Sequence, residues 1–143
     1  MGNALTLFPQ LSKLVSPRIM AAVIHTMWNG WCTHRRFQVD NSVCLFGCGA
    51  ASNEDSIEHY VFCSVFRNFL ECFLKTGHFL AIDEFLLLSH VGWDDRELKN
   101  RDFAVCALYK AHNRMRTSGL LRNSLFDLLS RTVMHLRNAR HAA

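Results

Sequence analysis

Apolar positions recur along most of this chain at three- and four-residue intervals, the spacing that lines one face of a helix. Met20, Ile24, Met27, Trp28 and Trp31 form such a face and predict a helix over about residues 17–31. Ser16-Pro17 supplies its start, a serine cap followed by a proline whose missing N–H costs nothing in the first turn. Gly30 weakens its last turn. The apolar face reads as core; a surface for stacking bases would need exposure. Ile57, Tyr60, Val61, Val65, Phe69 and Phe73 pattern a second helix over 55–75, capped by Asn53 to Asp55 and ended by Gly77. A shorter helix is expected over 81–89.

Arg96 to Arg116 reads as a long helix with Val105, Leu108 and Met115 on one side. Ala104, Ala107 and Ala111 nearby are small enough to admit a neighbouring helix closely. Thr117-Ser118-Gly119 breaks it. Leu121, Leu125, Leu128, Leu129 and Leu136 then mark a last helix, expected to pair antiparallel with the one before. Only residues 37–50 lack helical periodicity, and with Gly47 and Gly49 they predict a short irregular hairpin. The fold class expected is mainly α, a small helical domain with that hairpin in its middle.

At 143 residues, half of them apolar, the chain can bury a core of its own as one domain. Residues 1–16 read as an N-terminal extension and 17–143 as a single domain. Within it the Gly92-Trp93-Asp94-Asp95 turn separates a half over 37–92 from a half over 96–143. No repeat, low-complexity segment or Ser/Gly linker divides the chain. No run of 18 apolar residues is present, so no membrane span is expected. Six cysteines without a secretion signal favour an intracellular, reducing location, with nucleus and cytoplasm equally open. Met1-Gly2-Asn3-Ala4-Leu5-Thr6 fits the N-myristoylation pattern, which is short enough to recur by chance.

The net charge of +4 is unevenly spread. Residues 44–95 carry two basic and eight acidic side chains, whereas 96–143 carry ten basic and three acidic. A basic half of this kind favours an anionic partner, RNA or DNA, held through backbone phosphates. The plain alternative is a solvated polar face on two amphipathic helices. Arg114, Arg116, Arg122, Arg131 and Arg137 are the candidate phosphate contacts there, with Arg35 and Arg36 beside the cysteine loop.

That loop carries the sharpest chemistry. Cys44 and Cys48 flank a turn, and His59 and Cys63 stand four residues apart, on one face of the expected helix. Two thiols from a loop plus an imidazole and a thiol from a helix make a tetrahedral Cys₃His set for zinc. The hairpin is then zinc-knuckle-like, and the half over 37–92 is zinc-centred. Four protein ligands leave no position for water, which points to a structural metal. The alternative is metal-free thiols packed as small hydrophobes. Cys32, Cys72 and Cys106 have no such partners and read as buried or spare thiols.

No enzyme is expected. Asp94 and Asp95 read as a solvated turn, and His34, His90, His112 and His135 lack a persuasive nucleophile or acid partner. No phosphate-binding loop, dinucleotide-binding glycine motif or nucleophile elbow occurs.

Ile57-Glu58-His59-Tyr60 followed by Cys63, after Cys44-x-Phe46-Gly47-Cys48, resembles the zinc-binding region downstream of the polymerase domain in non-LTR retrotransposon reverse transcriptases. Trp28-Asn29-Gly30-Trp31-Cys32-Thr33-x-Arg35-Arg36-Phe37 is similar to the run before that knuckle. Ala107-Leu108-Tyr109-Lys110-Ala111-His112-Asn113-x-x-Arg116 is similar to the helix after it. The resemblance spans residues 28–116. It implies that Cys44, Cys48, His59 and Cys63 ligate zinc and that Arg35 and Arg36 help hold template RNA or target DNA. No Tyr-x-Asp-Asp motif is present, so it implies a detached region without polymerase activity. The function expected is a non-catalytic, zinc-dependent nucleic-acid-binding module. The alternative is a structural or protein-interaction helical domain.

Overall fold

Residues 101–108 are buried on every side, and the helix that contains them is the post around which the fold is built. The computed structural model describes residues 4–33, 35–38, 43–51, 54–75, 79–86, 92–118 and 125–138. Its helices are α1 (Ala4–Leu14), α2 (Pro17–Met27), α3 (Ile57–Phe62), α4 (Ser64–Phe69), α5 (Ile82–Phe85), α6 (Asp95–Ser118) and α7 (Leu125–Asn138). A π-helical turn, Leu70–Leu74, continues directly from α4. No strand occurs among the described residues, so the fold is mainly α with an irregular central loop.

The central post is α6. Asp94 caps it, accepting from Glu97 N–H at 2.7 Å, and Asp95 accepts from Gln10 Nε2 at 2.8 Å, so this acidic pair serves structure. Val105, Leu108, Met115 and the three alanines are all buried, since neighbours surround the helix. α2 and α7 pack along α6. Leu125, Leu129, Val133 and Leu136 face the core from α7. Arg137, near the end of α7, donates to Asn100 in the first half of α6 at 3.5 Å, as an antiparallel pair requires.

The core starts before residue 17. α1 packs against α6, and Leu11 and Val15 are buried, so residues assigned to an N-terminal extension contribute to the domain. α2 also differs from expectation. Pro17 opens it, but the Ser16 side chain makes no cap hydrogen bond, and the helix stops at Met27. Ile19, Ala22, Val23 and Thr26 form its buried face, not the Met20–Ile24–Met27 stripe. Beyond the stop the two tryptophans part: Trp31 is fully buried, while Trp28 is 79% exposed.

The single helix expected over 55–75 is three pieces. Its cap is Ser56, whose hydroxyl accepts from His59 N–H at 3.1 Å. At Cys63 the backbone leaves the helical region (φ −59°, ψ 122°), dividing α3 from α4. Lys75, left-handed at φ 54°, ends the π turn, and α5 is shorter than the 81–89 segment. The positions Met1 to Asn3, His34, Asn53, Gly77, His90, Gly119, Leu121, Arg122 and Arg140 lie outside the described residues.

Candidate metal centre

The central loop turns where Gly47 N–H donates to Cys44 O at 3.0 Å. Gly47 and Gly49 both have positive φ, 65° and 70°, which L side chains rarely adopt. The tight turn between them and Cys44 swings Cys44 and Cys48 toward the same side. Across from it, the Ser56 cap fixes the first turn of α3 and with it His59. The break at Cys63 then brings that thiol back toward Cys44.

Four ligand atoms result, one each from Cys44, Cys48, His59 and Cys63, all within 4.8 Å of one another. Cys44 Sγ is 3.9 Å from Cys63 Sγ, and Cys48 Sγ is 3.3 Å from His59 Nε2. Zinc with ordinary Zn–S and Zn–N lengths would hold tetrahedral ligands about 3.6–3.8 Å apart. The two separations bracket that range, so the set fits a small tetrahedral cation. Cys44 and Cys63 are buried, while Cys48 and His59 are half-buried, closing the site on the protein side.

Polar hydrogens already point at the sulfurs. Phe46 and Cys48 N–H groups donate to Cys44, and Val65 and Phe66 N–H groups donate to Cys63. Such donors favour thiolate, the form that binds metal. The Cys63 thiol donates to Cys44 and, with the backbone donors, draws Cys44 down to about 5 despite burial. Cys63, as the proton donor in a buried setting, is pushed up.

A buried polar chain ties this centre to the post. Tyr60 Oη accepts from Leu45 N–H at 3.3 Å and donates to Asp55 Oδ1 at 2.6 Å. His112 Nε2 on α6 lies 3.0 Å from the same oxygen, with both side chains fully buried. His112 therefore has an acid partner, contrary to the sequence reading, and the burial of both side chains suits a structural link. Burial, then Asp55, holds the Tyr60 hydroxyl far above its ordinary range, so it stays a donor. Trp31 packs against Tyr60, Tyr109, His112 and Phe85, with its indole N–H donating to Thr26 Oγ1 at 2.9 Å. Sequence periodicity had no means of finding this network, because its members come from separate segments of the chain.

The candidate phosphate ligands are dispersed. Arg35 Nη1 pairs with Glu54 at 3.2 Å and approaches Glu58 at 3.9 Å. Arg36 donates to Asn29 O at 3.0 Å and Trp31 O at 3.4 Å. Arg116 donates to Cys32 O at 2.8 Å. Arg36 and Arg116 thus both reach the 29–32 segment, one from each side of the sequence. Arg114 is exposed on the same helix. Arg131 and Arg137 are elsewhere, on α7, beside Asp127 and Asn100. Cys32 is half-buried, Cys72 exposed and Cys106 buried, all as free thiols. No described helix is long and apolar enough to cross a membrane. No protein-family model, curated protein or solved structure matches the chain.

Proposed function

We propose that Cys44, Cys48, His59 and Cys63 hold one structural zinc ion and that the surface around Trp28, Arg36 and Phe37 binds single-stranded nucleic acid. The ligand chemistry supports zinc: three thiolates and an imidazole in tetrahedral spacing suit a borderline-soft cation, and the set is complete without water. Zinc would lock the 44–48 turn to α3, and through Tyr60 and Asp55 that geometry is passed to α6.

The single observation that carries nucleic-acid binding is the pair of exposed aromatics beside the arginines. Trp28 is 79% and Phe37 59% exposed, an unusual cost for large rings in water. The Arg36–Asn29 contact ties the residue after Trp28 to the residue before Phe37. Aromatic faces for stacking bases, next to guanidinium groups for phosphates, are what a single strand needs. Arg36, Arg114 and Arg116 supply the charge. Arg35 contributes less, since Glu54 and Glu58 compete for it.

The same rings could instead serve a protein interface, since large apolar side chains left in water also suit a protein partner. Fluorescence anisotropy with labelled single-stranded RNA and DNA over a salt series separates the readings. Nucleic-acid binding predicts affinity that falls log-linearly with salt, with a slope of about −0.7 per phosphate neutralised. Trp28→Ala weakens it by about 1–3 kcal/mol if the indole stacks on a base. A folded, zinc-loaded protein with no salt-dependent binding leaves the interaction domain as the reading.

A further inference from the structure

Between α2 and α6 lies an open cleft of about 450 Å³, remote in role from the metal ligands and lined by Arg18, Ala21, Ala22, His25, Tyr109 and Lys110. Four of these fall at positions 18, 21, 22 and 25, one face of α2. The two alanines make the hollow; larger residues would fill it. Arg18 and Lys110 stand on opposite helices, and neither forms an ion pair with an acidic side chain among the described residues. No carboxylate is found among the described residues that line the cleft.

The remaining wall is aromatic. His25 and Tyr109 rings meet at 5.2 Å and 59°. Gly30 leaves room for the imidazole there: a Cβ at Gly30 would sit 2.6 Å from His25 ring atoms, so a side chain at that position would displace the ring. Tyr109 is braced from behind by Trp31, with ring centroids 5.7 Å apart. Two unpaired cations thus face a cavity with a planar, π-rich side, and the volume is in the range of small-ligand sites. Cations in such a place attract a phosphate, and the rings favour a flat group attached to it.

We propose that this cleft binds a nucleoside monophosphate unit, with phosphate between Arg18 and Lys110 and the base against Tyr109 and His25. The unit is either a free mononucleotide or the phosphorylated end of a strand. None of the six lining residues is a metal ligand, so the inference stands apart from the zinc and single-strand readings.

Isothermal titration of zinc-loaded protein with adenosine monophosphate, adenosine and inorganic phosphate tests it. Adenosine monophosphate should bind about tenfold more tightly than either fragment, because both halves of the cleft are used. Arg18→Ala and Lys110→Ala should each weaken it about tenfold, with helix content unchanged by circular dichroism. Ala21→Phe, which fills the hollow without altering charge, should weaken it comparably. Competition by a 5′-phosphorylated but not a 5′-hydroxyl oligonucleotide would identify a strand end as the source; competition by neither would identify the free nucleotide. Equal binding of adenosine and its monophosphate, parent-like affinity in the folded charge variants, or no binding at all overturns the proposal.

Discussion

Tyr60 shows how much one side chain does here. Its ring packs on Trp31 and Phe46, while its hydroxyl joins the cysteine loop to Asp55 and so to α6. Tyr60→Phe keeps the ring and strands Leu45 N–H and part of Asp55. We expect it to lower unfolding free energy by about 1–3 kcal/mol in urea titration, with metal still bound. Asp102 is the opposite case, a fully buried carboxylate with neither oxygen hydrogen-bonded. Burial pushes it up to about 8, so it is protonated in the folded chain at neutral pH. In the unfolded chain it ionises near 4, so the folded state binds more protons between these values and loses stability as pH rises. Asp102→Asn should therefore gain on the parent from pH 5 to 8, by up to about 1.4 kcal/mol per pH unit, in parallel thermal melts. A gap constant with pH would contradict this. At this scale the sequence was readable where chemistry is discrete: the spacing of Cys44, Cys48, His59 and Cys63 anticipated a cluster, and the four side chains do come together. It misled at Trp28, because the helical period was carried past the point where α2 ends.

Helices α6 and α7 were legible because each is long and its apolar positions repeat over several turns. The 55–75 segment was not. Its apolar positions continue through Cys63 into Val65, Phe69 and Phe73 as a helix would, so periodicity gave no sign of the break. Yet the break shapes the cysteine cluster: it returns the Cys63 thiol toward Cys44 while α4 donates N–H groups to it. The loop has its own constraint at Gly47, whose φ of 65° disfavours any side chain. Gly47→Ala should cost about 1–2 kcal/mol of stability and weaken metal affinity, read by competition with a chromogenic chelator. Parent-like affinity would mean that the turn is not what positions Cys44 and Cys48.

Across the whole molecule the hydrophobic core is continuous, from Leu11 in α1 through Trp31 and Tyr60 to Leu136 in α7. The cysteine loop adds Cys44, Phe46 and Cys63 to that core, most of which is supplied by the helices. Chelation should therefore loosen residues 43–63 first, visible as faster amide exchange there, while α6 and α7 stay protected. Simultaneous loss of protection everywhere would show that the metal holds the entire fold. The division into an acidic centre and a basic C-terminal half was readable from charge alone. That α1 belongs to the core was not, since residues 1–16 gave too short an apolar pattern to place. Native mass spectrometry of zinc-supplemented protein, alongside Cys44→Ser and Cys63→Ser, bears most directly on the metal centre. One zinc per parent chain, lost in both variants, is the expected result; a folded parent that carries no zinc would contradict it.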